Sequence, residues 1–188
     1  MKKQLLKWSF LFLGTAAFSL TACNKEDGIE ANEEEVITTM QLTLTAADGS
    51  NPLVYKFEDL DGDGSNTTQD VIQLAANKTY NVTLQLLNKS VTPAEDITAE
   101  VAAEGASHRF YYTPSAGSNI AVSNLNNDDE GNPLGITSTW ATSSAANGTM
   151  QITLRHYPGN PPNKQASDAL NSSKSSTDIE VTFTTRVQ

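Results

Sequence analysis

The chain has 188 residues, 12 Lys plus Arg against 22 Asp plus Glu, a formal charge of -10, and one cysteine. That length suits one domain, a lone cysteine excludes a disulfide scaffold, and 38% hydrophobic with 18% charged residues excludes both a disordered polyelectrolyte and a multi-span membrane protein. The acid excess, with no Lys/Arg cluster to offset it, repels phosphate backbones and excludes nucleic acid as a partner.

The N-terminus reads as an address. Lys2, Lys3 and Lys7 flank the start of an apolar run, Trp8-Ser9-Phe10-Leu11-Phe12-Leu13, which continues through small residues to Leu20-Thr21-Ala22-Cys23. This is the pattern of a secretory signal peptide over residues 1–22, with an apolar part shorter than the about 20 residues a membrane span needs. Small residues at 21 and 22 suit a peptidase that cuts just before Cys23. Leu20-Thr21-Ala22-Cys23 resembles a bacterial lipobox, in which the cysteine thiol receives a diacylglycerol and its new amino group is acylated. The resemblance implies attachment to a lipid membrane through Cys23, because one acyl chain anchors only marginally and two or more hold.

Asn24-Lys25-Glu26-Asp27 resembles the Lys-plus-two-acids export signal of Bacteroidota lipoproteins that are flipped to the cell exterior. It implies an outer-membrane anchor with the protein facing outward; the alternative orientation faces the periplasm. Residues 23–35, with Glu30, Glu33, Glu34 and Glu35, read as an acidic tether extended by like-charge repulsion.

A single domain is expected over residues 36–188, where period two dominates. Met40, Leu42 and Leu44 alternate with polar residues; past the turn-forming stretch 47–52, Leu53, Tyr55 and Phe57 do the same, predicting a hairpin. Tyr80, Val82, Leu84 and Leu86 mark the next clear strand. Between it and the later strands, Thr92-Pro93-Ala94-Glu95 reads as a capping box with proline at the first helical position, and Gly105 as a terminator. A short helix over about 93–104 follows, with Ile97 and Val101 on one face. Further strands are expected at His108, Phe110 and Tyr112, at Ile120 and Val122, at Ile136, Ser138 and Trp140, at Met150, Ile152 and Leu154, and at Ile179, Val181 and Phe183. Residues 160–177, rich in Asn, Ser, Pro and Lys, read as a long mobile loop.

About eight or nine short strands with regular turn signals predict a mainly β fold, an antiparallel immunoglobulin-like or fibronectin-like β-sandwich with one short helix. Residues 74–82 resemble the fibronectin type III and immunoglobulin-like corner, where a tyrosine hydroxyl, here Tyr80, ties the start of a strand to the preceding turn.

Two residue sets have the chemistry to hold an ion. Counting Asp59 as position 1, the stretch 59–70 places side-chain oxygens at positions 1, 3, 5, 9 and 12 and glycine at 6, which resembles the calcium loop of EF-hands and, with Asp at 12, of dockerins. Asp59, Asp61 and Asp63 would give carboxylates, Ser65 a backbone carbonyl, Thr67 a hydroxyl or a water, and Asp70 the closing carboxylate. A polar Asp-Gly turn without an ion has the same composition. The second set is the histidine pair, His108 and His156, both in phase with apolar neighbours. If their strands pair, the imidazoles meet and suit a transition metal or the axial positions of haem.

The zinc-protease, Gly-x-Ser-x-Gly, phosphate-loop and dinucleotide motifs are absent from the sequence. A non-enzymatic role is expected. Trp140 and the Tyr111-Tyr112 pair are the aromatics expected to be partly exposed, and a glycan-binding or glycan-active protein is the weaker alternative that they and the loop acids allow. Phe57 to Gly64, Tyr80 to Asn88 and Leu154-Arg155-His156 are similar to stretches in a group of short Bacteroidota surface lipoproteins. That likeness implies a surface lipoprotein of uncharacterised role; the residues themselves add the expectation of a non-enzymatic binding or accessory protein, working beside an outer-membrane transporter and stabilised by calcium at the acidic loop, with a metal or haem carrier using His108 and His156 as the alternative. The group is associated with a type 1 periplasmic binding fold, but two α/β lobes need more residues and helices than this chain offers.

Overall fold

The structure, a computed structural model, describes residues 35–188. The stretch read as a signal peptide (1–22), Cys23 as the expected lipidation site, and residues 24–34 of the expected tether lie outside the described residues.

Alternation of apolar and polar residues builds two sheets. Strands β1 (Thr39–Ala46) and β2 (Leu53–Glu58) form the expected hairpin, with Met40 opposite Phe57 and Leu44 opposite Leu53. The first sheet continues on both sides of them. Its order is β3-β2-β1-β5-β9-β8, where β3 is Thr68–Gln69, β5 is Thr79–Asn88, β8 is Ile120–Ser123 and β9 is Thr137–Thr142. The two-residue strand β6 (Glu95–Asp96) pairs with the end of β5. The second sheet has the order β4-β11-β10-β7, comprising β4 (Ile72–Leu74), β7 (His108–Pro114), β10 (Ala146–His156) and β11 (Ser176–Val187). Within it β4 runs parallel to β11, and the other pairs are antiparallel. Mainly β, with two sheets and one helix, this is the expected sandwich and not two α/β lobes.

The inner faces meet in one core. Met40, Leu42, Leu44, Val82, Leu84, Leu86 and Trp140 come from the first sheet, and Phe110, Ile152, Leu154, Val181 and Phe183 from the second. Each such buried side chain contributes about 1.5–3 kcal/mol by leaving water. Tyr80 makes the anticipated corner: its hydroxyl accepts the Ala75 N–H at 3.0 Å.

Three expectations need correction. The helix, α1, is Ile97–Ala103, four residues shorter at its start than the capping box suggests. Glu95 and Asp96 are instead drawn into pairing with Asn88 and Leu87, and the Asp96 side chain then caps the helix by accepting the Thr98 N–H. Ile97 and Val101 share its buried face as expected. Trp140 is not exposed at all; Tyr112 meets its ring edge-on at 6.0 Å, and its Nε1–H donates to the Ser138 hydroxyl. Residues 160–177 are not a mobile loop. Arg109 donates to the carbonyls of Gln165, Ala166 and Asp168, Arg155 to those of Ser172 and Ser175, and Lys174 pairs with Asp168. The decisive fixture is Lys164, whose ammonium lies in an ion pair with Asp128 at 2.7 Å and donates to the carbonyls of Gly105, His108 and Pro133.

Candidate functional site

Strands β7 and β10 pair so that His156 stands directly opposite His108. Directly opposed residues share a sheet face, and the two imidazole centroids are 4.8 Å apart. Their position follows from phase: Leu154 and Phe110 form the preceding inward rung, deep in the core, and the histidines close that face at the end of the second sheet.

The His108 side chain is only 2% exposed. Its Nδ1 lies 3.2 Å from the backbone carbonyl of Glu104, where α1 ends. A carbonyl only accepts, so Nδ1 carries the proton. Burial, followed by the neighbouring His156, pushes His108 down to about 4, and the ring is therefore neutral at neutral pH. Nε2 is left as a bare lone pair facing Glu35 Oε1 and Asp178 Oδ2, each at 3.9 Å. Fixing one ring nitrogen on a backbone carbonyl and presenting the other is how proteins orient metal-binding histidines.

A break in strand register brings Asp178 into this group. Leu154 sits opposite Ile179, but the next pair is Arg155 opposite Thr177, so Asp178 occupies a bulge with no rung of its own. Regular alternation from Ile179, Val181 and Phe183 would turn Asp178 to the outer face; the bulge re-aims it toward the histidines. Its side chain is 8% exposed. The donor atoms of His108, His156 and Asp178 lie within 4.8 Å of one another, and so do those of Glu35, Glu104 and His108.

Imidazole nitrogens with carboxylate oxygens suit a dipositive first-row transition ion, zinc above all. With bonds of about 2.0–2.2 Å, donors around a tetrahedral zinc are roughly 3.3 Å apart. The His108, His156 and Asp178 donors, within 4.8 Å of one another, would have to close in by up to about 1.5 Å to hold such an ion. Haem does not fit it: a porphyrin held by both imidazoles must pass between two rings in near contact, one of them sealed in the sandwich.

The acidic loop forms a different kind of site. Pairing of β2 with β3, Phe57 opposite Gln69 and Glu58 opposite Thr68, makes residues 59–67 the tip of a hairpin. Asp59 accepts the N–H groups of Gly62 and Gly64, and Asp63 accepts that of Ser65. Gly64, at the sixth position, has φ +76, the left-handed conformation an EF-hand turn requires there. The carboxylates of Asp59, Asp61 and Asp63 come within 4.8 Å of one another. Hydrogen bonding with Asp59, with the nearby Asp63 adding to it, holds the Asp61 carboxyl above its ordinary range. Asp70 is elsewhere: its carboxylate accepts the Lys56 N–H at 2.8 Å, and its own N–H donates to the Lys56 carbonyl. Ser65 and Thr67 are exposed on the hairpin tip. Three of the six expected ligands converge.

Among the described residues, the aromatics expected to be partly exposed are engaged within the fold. Trp140 is buried, and Tyr111 is covered by the Arg109 guanidinium 4.4 Å from its ring centre while its hydroxyl meets that of Tyr157 at 2.7 Å.

Sequence pattern alone does not reveal Asp178, Glu35 or Glu104. Asp178 needs the bulge, Glu35 looks like the last residue of a solvated acid run, and Glu104 takes part through its backbone. No family model, curated protein or solved structure matches the chain, so its function is read from this geometry and from the sequence.

Proposed function

We propose that the protein is a surface-exposed lipoprotein, anchored in the outer membrane through acylated Cys23, whose sandwich binds a divalent transition-metal ion at His108, His156 and Asp178 in a non-enzymatic, accessory role beside an outer-membrane transporter. The lipobox and the adjoining Lys-plus-two-acids stretch support the address. Among the described residues no helix is long and apolar enough to cross a membrane, and the anchor in this reading is the lipid. The observation that carries the metal assignment is the His108 ring: its Nδ1 is committed to the Glu104 carbonyl, its Nε2 lies 3.9 Å from Asp178 Oδ2, and the His156 ring stands beside it with centroids 4.8 Å apart.

The test uses the full-length chain in detergent, stripped with chelator and titrated with zinc(II). One ion per chain is expected, with uptake lost in His108→Ala and in His156→Ala. Mass spectrometry of the same sample should find the leader removed and Cys23 diacylated. A stripped wild-type chain that takes up no zinc refutes the metal assignment, and a free thiol at position 23 refutes the anchor.

The convergence of Asp59, Asp61 and Asp63 favours a second, structural ion, calcium, held with the weak affinity of extracellular modules, about 10⁻⁴ to 10⁻³ M. Millimolar calcium should raise Tm over that in chelator, and Asp61→Ala with Asp63→Ala should cancel the rise. Equal Tm values in the two buffers remove calcium from the proposal.

A further inference from the structure

Glu35 ends a run of acids that reads as tether, yet its side chain is only 16% exposed, and its Oε2 is buried without a hydrogen-bond partner. A carboxylate oxygen withdrawn from water in this way is costly unless a proton or a cation compensates it. Its neighbours worsen the balance. Glu104 and, across His108, Asp178 bring further carboxylates toward Glu35. Meanwhile Oε1 lies 3.9 Å from the bare Nε2 of His108, acceptor facing acceptor, so that His108 is shared by two groups of donors, one with His156 and Asp178 and one with Glu35 and Glu104.

The position of Glu35 is set from the other sheet. Three residues on, Thr38 is locked: its N–H and hydroxyl both donate to the Leu87 carbonyl, its hydroxyl accepts the Lys89 N–H, and its carbonyl accepts the Asp59 N–H. Glu35 therefore reaches the cluster from the entry to β1, in the first sheet, whereas His108, His156 and Asp178 come from three strands of the second.

We infer that Glu35 is the fourth ligand of the metal site, so that the bound ion clasps the root of the tether and the first sheet to the second. The inference rests on the metal reading given above. Two neutral imidazoles and two carboxylates give a dipositive ion a shell of zero net charge, which a buried site tolerates. Four protein donors also fill a tetrahedral ion and leave no position open for a substrate, the composition of a holding or structural site and not of a catalytic one. Glu104 is the rival donor, with a carboxylate oxygen also within 4.8 Å of the donor atoms of Glu35 and His108. It is solvent-exposed, however, and serves the site through its backbone carbonyl.

The experiment compares full-length wild type, Glu35→Gln, Glu104→Gln and His108→Ala in detergent. Zinc(II) affinity should fall by at least about 10–100-fold in Glu35→Gln, the loss that even an outer-shell partner causes, and much less in Glu104→Gln. Cobalt(II) in place of zinc should give the wild type the intense visible bands of a tetrahedral ion, and Glu35→Gln should lose that intensity as water enters the shell. Hydrogen exchange at the Val36 and Ile37 amides should slow on zinc binding in the wild type and not in Glu35→Gln. Equal zinc affinity in Glu35→Gln and wild type, a larger loss in Glu104→Gln, or unchanged exchange at residues 36 and 37 overturns the clasp. If the wild type binds zinc and His108→Ala does not, the metal reading survives such a result; if the wild type binds none, both fall together.

Discussion

Lys164→Met should destabilise the protein by about 3–5 kcal/mol, the cost of leaving a buried charge without its partner. Methionine keeps most of the aliphatic stem but removes the ammonium, which together with Asp128 is almost wholly withdrawn from solvent, at 1% and 0% side-chain exposure. Denaturant unfolding measures the loss as a lower midpoint at unchanged slope. Lys164→Met with Asp128→Leu should recover part of it, because a well-packed apolar pair often replaces a buried ion pair without penalty; the carbonyls of Gly105, His108 and Pro133 still lose their donor.

The pH dependence should change sign with the same substitution. In the wild type, burial acts to raise the Asp128 carboxyl, but Lys164 and the N–H groups of Asn132 and Glu130 hold it below the usual carboxylate range. A depressed folded-state pKa adds stability that is present at neutral pH and is lost as pH falls through that value. Without the ammonium the stranded carboxylate favours protonation, so Lys164→Met should gain stability relative to wild type on acidification. A loss under about 1 kcal/mol at neutral pH would mean that the pair is hydrated and worth no more than a surface ion pair.

Trp140→Ala should cost about 3–5 kcal/mol, the range for deleting a buried aromatic side chain. The ring is packed edge-on against Tyr112, and its N–H is satisfied by Ser138. Trp140→Phe keeps the apolar contact and should cost clearly less. Trp140 is the only tryptophan among the described residues; the other, Trp8, lies in the stretch that the proposed processing removes. Its emission should be blue-shifted and resistant to soluble quenchers. Emission at the wavelength of a hydrated indole, or a shift on adding oligosaccharide, would contradict the buried position and revive the glycan reading.

Local features of the fold were readable from the residues. Period two at Met40 to Leu44 and at Tyr80 to Leu86 needs no partner to be identified, and Tyr80 reaches a turn only five residues away. The face shared by Ile97 and Val101 is equally local, but the helix start is not. Thr92 and Asp96 both have the side chain of a cap, and strand pairing at Asn88 and Leu87 decides between them. The histidine pair was legible as far as phase goes; that the two rings meet depends on the β7–β10 register. Asp178, Glu35 and the Lys164–Asp128 pair were not legible, because a bulge, a burial and an ion pair spanning distant turns are products of tertiary packing. The loop acids show the reverse error. Spacing put Asp70 in the ligand set, while its nearest backbone donor, Lys56, took it for the hairpin.

The parallel pairing of β4 with β11 has a consequence for biogenesis. Ile72 to Leu74 emerge early from the ribosome, yet the neighbour they need is about a hundred residues behind them, and such distant contacts form slowly. Half of the sandwich thus stays unfinished until the chain's last strand is available. On the proposed export route that delay would be an advantage, because a chain still lacking its closing strand can be threaded unfolded through a channel and finish folding on the far side.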